Sequence, residues 1–292
     1  MANQQLAIDT KVKMNSGYEI PLLGYGEYQT PANVAESVCL HALNTGYRHI
    51  DSALVYRNEE PSASALLKFI KEKSVPRDQL FFTSKVPPKS VNYRDAKVSI
   101  EQSLKNTGLD YFDLYLLHAP YGGRKGRLGA WEALVEAVAE GKIRSIGVSN
   151  YGVHHLEELE KWQEEQPEHR RGIISVNQVE LHPWLARPDI VEWCKTRGIV
   201  MEAYSPLVRA QRNEEPLLKK LGEKHKKTPA QILLRWGLQM GFVILPKSVT
   251  PSRIEENVGL YDFELDEEDL KALDTKEYAP CAWDPTTEKL EK

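Results

Sequence analysis

The sequence is poor in cysteine, has no excess of basic residues and contains no long apolar run. Its three cysteines, Cys39, Cys194 and Cys281, lie far apart and form no CxxC pair. That spacing argues against a disulfide framework and reads as reduced thiols in a cytosolic protein. A net charge of −4 offers no general counter-surface to nucleic acid. No stretch approaches the roughly 18 apolar residues of a membrane span, so no membrane partner is expected. The first ten residues, MANQQLAIDT, lack the charged start and apolar centre of a signal peptide, and residues 1–10 are expected to form a flexible N-terminus. The glycine fingerprint of a dinucleotide-binding open sheet is incomplete, because Gly24-Tyr25-Gly26-Glu27-Tyr28-Gln29 has no third glycine. There is no Walker lysine motif, no linker and no low-complexity segment, so residues 1–292 read as a single domain.

What the chain does have is a rhythm. A hairpin is expected from Lys11–Met14 and Tyr18–Ile20, turned by Asn15-Ser16-Gly17. Apolar, β-branched runs then begin near residues 22, 47, 80, 112, 143, 174, 199 and 242. Helical segments fall between them, among them Pro31–Thr45, Tyr93–Lys105, Leu128–Glu140, Val153–Gln163 and Arg187–Thr196. Another helix starts at Pro229 behind the cap Thr228, with Ile232, Leu233, Trp236 and Leu238 as its core face. Lys161–Arg171 is expected to include a charged loop. Eight β-then-α units predict a (β/α)8 TIM barrel with an N-terminal β-hairpin, extra C-terminal helices and a C-terminal tail over 276–292 near the mouth.

Four residues at or just past strand ends carry the chemistry: Asp51, Tyr56, Lys85 and His118. A barrel brings such residues to one mouth. A free phenol, with a pKa of about 10, is a weak acid near neutrality, and a nearby ammonium lowers that value. Lys85 can supply the cation, Asp51 can hold it charged, and His118 can donate to or orient a substrate oxygen. The set suits protonation of an oxygen that becomes an alkoxide, which is carbonyl reduction if a hydride donor binds nearby. Ser149 and Asn150 after strand five and Gln178 after strand six can read a carboxamide, and Tyr204 can stack on a planar heterocycle. Lys247, Ser248 and Arg253 follow strand eight, where barrels often take phosphate, and a ribose 2′-phosphate favours NADP over NAD. The rival, a metal-dependent barrel hydrolase or isomerase, needs a ligand cluster at the strand ends. Only His118 and His182 are placed for one, because adjacent His154 and His155 are expected on different helix faces; no metal is expected.

At these residues the chain resembles the aldo-keto reductases. The likeness runs in order through GYRHIDSALVYRNE (46–59), FFTSK (81–85), FDLYLLHAP (112–120), GKIRSIGVSNY (141–151), VNQVELHP (176–183), AYSPL (203–207) and LPKSVTPSRIEEN (245–257). It implies an NADPH-dependent barrel that reduces aldehydes and ketones, a small-molecule carbonyl substrate, and a monomer or homodimer. By motif, Tyr56 would be the general acid, with Asp51, Lys85 and His118 as partners. Gly26 and Asp51 would contact the cofactor, Ser149, Asn150 and Gln178 would bind its carboxamide, and Tyr204 would stack under the nicotinamide. Ser205 and Leu207 would lie along the pyrophosphate. Lys247, Ser248 and Arg253 would take the 2′-phosphate, and Glu256 and Asn257 the adenine. The short region after His118 is most similar to microbial members, fungal ketoreductases in particular. A second possibility on the same barrel is a nicotinamide-sensing regulatory subunit with an intact tetrad.

The chain departs from the commoner pattern at Glu27, where relatives read threonine, and at Pro87, where many carry an aromatic. Glu27 is expected to put a charge near the mouth. Pro87 and the short loop over 120–127 predict a wide, partly open pocket, able to admit bulky keto esters. Its walls would be Tyr28, Val55, Pro87, His118, Tyr121 and Trp283.

Overall fold

Strand runs such as Phe81–Val86 and Phe112–Leu117 are buried at every position, the pattern of a parallel sheet covered by helices. The computed structural model describes residues 6–290; the expected flexible terminus falls partly on residues 1–5, outside the described residues. Within its remainder, Leu6 and Ile8 pack against the core.

Strands β1 (Lys11–Lys13) and β2 (Glu19–Pro21) form the antiparallel hairpin. It caps the barrel floor: Met14 and Ile20 are buried, and Asn15 Nδ2 donates to the Ile174 carbonyl at 2.9 Å. The barrel staves are β3 (Tyr25–Gly26), β4 (His49–Asp51), β5 (Phe81–Val86), β6 (Phe112–Leu117), β7 (Ile143–Ser149), β8 (Ile174–Glu180), β9 (Val200–Tyr204) and β10 (Val243–Ile244). They pair in parallel in sequence order. The ring closes where Ile244 N–H donates to the Leu22 carbonyl at 2.8 Å and Gly24 N–H donates to the Ile244 carbonyl at 2.9 Å. The expected (β/α)8 barrel with its hairpin is what forms.

The outer helices are α1 (Ala32–Thr45), α2 (Glu59–Lys73), α3 (Tyr93–Thr107), α4 (Gly123–Ala139), α5 (Val153–Glu165), α6 (Glu168–Arg171), α7 (Pro188–Lys195), α8 (Pro216–His225), α9 (Pro229–Gln239), α10 (Pro251–Glu256) and α11 (Glu267–Leu273). The start of α9 follows its sequence. Thr228 accepts from Gln231 N–H at 3.3 Å, Pro229 sits in the first turn, and the four expected apolar residues are buried. Two expectations are corrected. Helix α4 begins at Gly123 rather than near Leu128, which shortens the loop after His118. A Cβ on Gly126 would meet the Val91 carbonyl oxygen at 2.5 Å, so the glycines that look like loop instead let α4 lie close to the chain before α3. The charged stretch 161–171 is mostly helical, as the end of α5 and all of α6, because Leu156 and Leu159 bury one face of α5 while the charges take the other.

Candidate active site

The register sets the site. Asp51 ends β4 opposite Gly26 and Thr83; Lys85 lies on β5; Ser149 pairs with Gln178, and Gln178 with Glu202. Lys85 is fully buried, and its Nζ gives hydrogen bonds to Asp51 Oδ1 (2.8 Å), Asp51 Oδ2 (2.8 Å) and the Ser52 carbonyl (2.7 Å). All three ammonium hydrogens are thus used, which is what a buried cation requires. Tyr56 stands on the short helical turn 54–56 just after β4, with its hydroxyl 3.3 Å from His118 Nε2. The structure therefore gathers the four sequence-predicted residues at one end of the barrel.

The electrostatics correct one expectation. Lys85 Nζ lies 5.1 Å from the centre of the Tyr56 ring. A bare cation there would be worth about 3 kcal/mol to a phenolate at an effective dielectric of about 20. Burial and the Asp51 carboxylate outweigh it and push the Tyr56 phenol well above its ordinary value. The reason is that Lys85 and Asp51 form a close ion pair, so Tyr56 feels a dipole and not a free charge. The phenol keeps its proton. Burial, then Lys85, pull His118 well below the usual imidazole range, so its ring is neutral at physiological pH. A neutral imidazole has one N–H, and His118 Nδ1 has no partner. The pair Tyr56–His118 can therefore direct two donors at one acceptor atom above it.

Below this pair the barrel interior is polar. Gln178 Nε2 donates to Asp51 Oδ2 (2.8 Å) and to Glu202 Oε2 (2.7 Å). His49 Nε2 lies 3.0 Å from Thr83 Oγ1 and 3.6 Å from Glu202 Oε1. Burial and then Asp51 push the Glu202 carboxyl above the usual carboxylate range. Sequence reasoning missed Glu202; the signal was a lone acid inside the apolar run Val200–Tyr204.

A cavity of about 800 Å³ opens above these groups. Gly26, Tyr28, Asp51, Val55, Tyr56, His118, Ser149, Asn150, Gln178, Tyr204, Ser205, Leu207, Lys247 and Trp283 line it. Pro87 does not line it; Pro88 does, because Pro87 turns into the helical turn 88–90 and the next ring takes the wall. Tyr121 is also outside the lining and reaches the cavity only through Trp283, whose ring centre is 5.8 Å away. The rim is open: Tyr28, Val55 and Trp283 are 48%, 49% and 43% exposed. Ser248, Arg253, Glu256 and Asn257 fall outside the lining. The Ser248 loop is fixed by Tyr25 Oη donating to the Ser248 carbonyl (2.6 Å), while Glu256 Oε1 accepts from Thr228 Oγ1 (2.8 Å) and Asn257 is buried. Arg253 is exposed on α10.

The polar lining fits a nicotinamide carboxamide. Ser149 Oγ donates its proton to the Gln178 carbonyl (2.8 Å) and accepts from Asn150 Nδ2, leaving one lone pair for an amide N–H. Asn150 Nδ2 donates to the His118 carbonyl (3.0 Å) and to Ser149 Oγ (3.1 Å), and its Oδ1 accepts from Tyr204 Oη (2.7 Å). Lys247 supplies a cation at the far side. Arg209 and Gln29 also line the cavity and were not foreseen. Arg209 lies in a run with positive φ, Val208 (50°), Arg209 (49°) and Ala210 (61°), and its guanidinium sits 5.7 Å from the centre of the Tyr28 ring. Non-glycine residues rarely adopt that backbone, so no sequence pattern announces it.

Glu27 is corrected too. It is fully buried and puts no charge at the mouth. Its carboxylate accepts from Cys39 Sγ–H at 2.5 Å and from Asn58 Nδ2 at 3.4 Å. Burial raises it from 4.5 to about 7, against smaller opposing effects from Cys39 and Lys247. Between these values the folded chain holds a proton that the unfolded chain has released. Stability from this group is complete below about pH 4.5 and is lost as pH rises through 7. Glu27→Gln is expected to remove that slope, shifting the variant-minus-wild-type stability by about 2.5 kcal/mol in the variant's favour between pH 5 and pH 8. Urea unfolding at the two pH values checks it.

Among the described residues one group of metal-type donors converges: Glu180, His182 and Cys281 place ligand atoms within 4.8 Å of one another. Both Glu180 oxygens already accept peptide hydrogens, from Cys281 (2.6 Å) and Ala282 (3.1 Å). His154 and His155 do not diverge as expected. Their ring centres are 3.9 Å apart, because His155 Nδ1 turns back to accept Gly152 N–H at the start of α5.

Comparison with known proteins gives the family. The profile described as Aldo/keto reductase family matches residues 22–277. The glyoxal reductase of Bacillus subtilis is 43% identical over 264 residues, covering 90% of this chain and 91% of its own. An uncharacterized oxidoreductase of Schizosaccharomyces pombe is 41% identical, covering 96% and 98%. The methylglyoxal reductase DkgA of Escherichia coli is 38% identical, covering 91% and 92%. The crystal structure of an aldo-keto reductase from a deep-sea metagenome library superposes with a TM-score of 0.83 at 38% identity, covering 91% of this chain and 95% of that one. A barrel with these side chains at its mouth, matched along nearly its whole length, belongs to the aldo/keto reductase family.

Proposed function

We propose that the protein reduces aldehydes and ketones to alcohols with NADPH, using Tyr56 as the proton donor. One observation carries the reading: the Tyr56 hydroxyl and His118 Nε2, 3.3 Å apart, sit on the floor of the cavity that also holds Ser149, Asn150, Gln178 and Lys247. NADPH, when bound, supplies the hydride. The chain does the rest. Ser149, Asn150 and Gln178 hold the carboxamide, and the Tyr204 ring supports the nicotinamide. Neutral His118 orients the carbonyl oxygen, and Tyr56 delivers its proton as that oxygen gains charge. Lys85, held by Asp51, keeps the buried carboxylate beneath the phenol paired and in place. Lys247 and Arg253 take the 2′-phosphate, with Ser248 adding a hydroxyl. Three unpaired cysteines suit a reducing compartment such as the cytosol.

The names of the glyoxal and methylglyoxal reductases favour small dicarbonyls, and the exposed rim of Tyr28, Val55 and Trp283 favours bulkier keto esters as well. A panel spanning both, followed by consumption of reduced cofactor, tests the reading. Turnover of dicarbonyls and keto esters is expected; turnover of neither contradicts it. Arg253→Ala is expected to weaken NADPH at least about tenfold and NADH little, as loss of a charge-assisted phosphate contact requires. Fluorescence titration with both cofactors checks it, and equal loss would remove the 2′-phosphate assignment.

A further inference from the structure

The C-terminal segment is tied down at several points, the charged ones at the end of β8 and just after it. Glu180, the last residue of that strand, is fully buried. Its Oε1 accepts Cys281 N–H at 2.6 Å and lies 2.8 Å from His182 Nε2; its Oε2 accepts Ala282 N–H at 3.1 Å. The next residue in the chain is Trp283. Arg187, also buried and held in left-handed backbone (φ 45°), grips the other side. Its Nε donates to the Glu180 carbonyl (2.9 Å), its Nη2 to Asp284 Oδ1 (2.9 Å) and its Nη1 to Thr286 Oγ1 (2.7 Å). A Cβ at Gly152 would meet the Thr286 carbonyl oxygen at 2.2 Å, so the tail lies directly on the backbone before α5. Trp283 is therefore bracketed by anchored residues on both sides. Its own ring is 43% exposed and stands 6.2 Å from the His118 ring centre and 5.8 Å from that of Tyr121.

A buried carboxylate and a buried guanidinium that spend their hydrogen bonds on a tail are costly to desolvate. A loop could cover the same surface with apolar contacts alone. What the charges add is a fixed position for the residue between them. We infer that Glu180 and Arg187 are positioning residues, forming a latch that holds Trp283 as an aromatic wall over the carbonyl site and so sets the enzyme's preference for large, flat substrates over small dicarbonyls. This rests on the carbonyl-reductase reading. The latch is continuous with the floor of the site, because Glu180 is two residues beyond Gln178 on the same strand.

The test uses the full chain with NADPH, Glu180→Gln and Asp284→Ala, the latter removing the carboxylate partner of Arg187 from the tail and leaving the barrel residues unchanged. Two readouts are taken: hydrogen exchange at the Cys281 and Ala282 amides, and the ratio of kcat/KM for a naphthaldehyde to that for methylglyoxal. Both variants are expected to speed exchange of the two amides at least about tenfold, as local release of the tail would. Both should lower the substrate ratio about tenfold, the order expected for loss of an aromatic contact, with kcat for methylglyoxal kept within about twofold. Trp283→Ala should lower the ratio to the same extent, and Glu180→Gln should add nothing in that background. Unchanged amide exchange, an unchanged ratio, or an equal fall on both substrates overturns the latch. Should Glu180→Gln fail to fold, Asp284→Ala alone decides. Should the wild type reduce no carbonyl, the reductase reading fails, while amide exchange still reports whether the charges hold the tail.

Discussion

Tyr56→Phe is expected to bind NADPH as the wild type does and to turn over at least about 100-fold more slowly, the usual scale for loss of a positioned general acid. The substitution removes one oxygen. The ring keeps its edge contacts with Tyr28 at 5.2 Å and His118 at 5.5 Å between centres, so the fold and the cavity walls are retained. None of the groups proposed to hold the cofactor is altered. The effect therefore belongs in kcat, with cofactor affinity unchanged. Steady-state rates beside a fluorescence titration separate the two. Turnover near the wild-type rate would remove Tyr56 from the role.

Lys85→Met is expected to cost about 3–5 kcal/mol of stability as well as nearly all activity. Asp51 would keep Gln178 Nε2 as a partner and lose the cation that both of its oxygens now face. A buried carboxylate without its counter-ion is the expensive half of a broken pair. Pairing Lys85→Met with Asp51→Asn should recover most of the stability, because neither charge is then left alone. Activity should not return. Urea unfolding of the two single variants and the double, with rates on the same preparations, reads both effects. If the double variant regained turnover, the ion pair would be structural only.

Much of this arrangement is legible in the sequence because barrel geometry does the gathering. Asp51, Lys85, His118, Ser149 and Gln178 each lie at or near the end of a run whose β character is plain, and a closed parallel barrel delivers such ends to one mouth. The helix start at Thr228-Pro229 was equally readable, since capping chemistry is local. What was not readable depends on side-chain direction or on rare backbone. Glu27 looks like a charge at the mouth, yet it turns away toward Cys39 and Asn58. Pro87 and Pro88 are adjacent, and only the helical turn decides which ring faces the cavity. Arg209 enters through three consecutive left-handed residues. Gly126 reads as loop because helix propensity counts against glycine, while close packing on Val91 requires it. The acidity of Tyr56 was misjudged for a related reason: the sequence supplies a lysine, but the structure neutralises it with Asp51 before the phenol can feel it.

The central claim is that hydride comes from bound NADPH and the hydroxyl proton from Tyr56, ultimately from water. NADPH dideuterated at C4 of the dihydronicotinamide, incubated with the protein and a prochiral keto ester or glyoxal, tests it most directly. The account predicts one deuterium on the carbinol carbon of the alcohol, matched mole for mole by oxidised cofactor, and none at the hydroxyl. An alcohol free of deuterium, or product formed without consumption of NADPH, would contradict it.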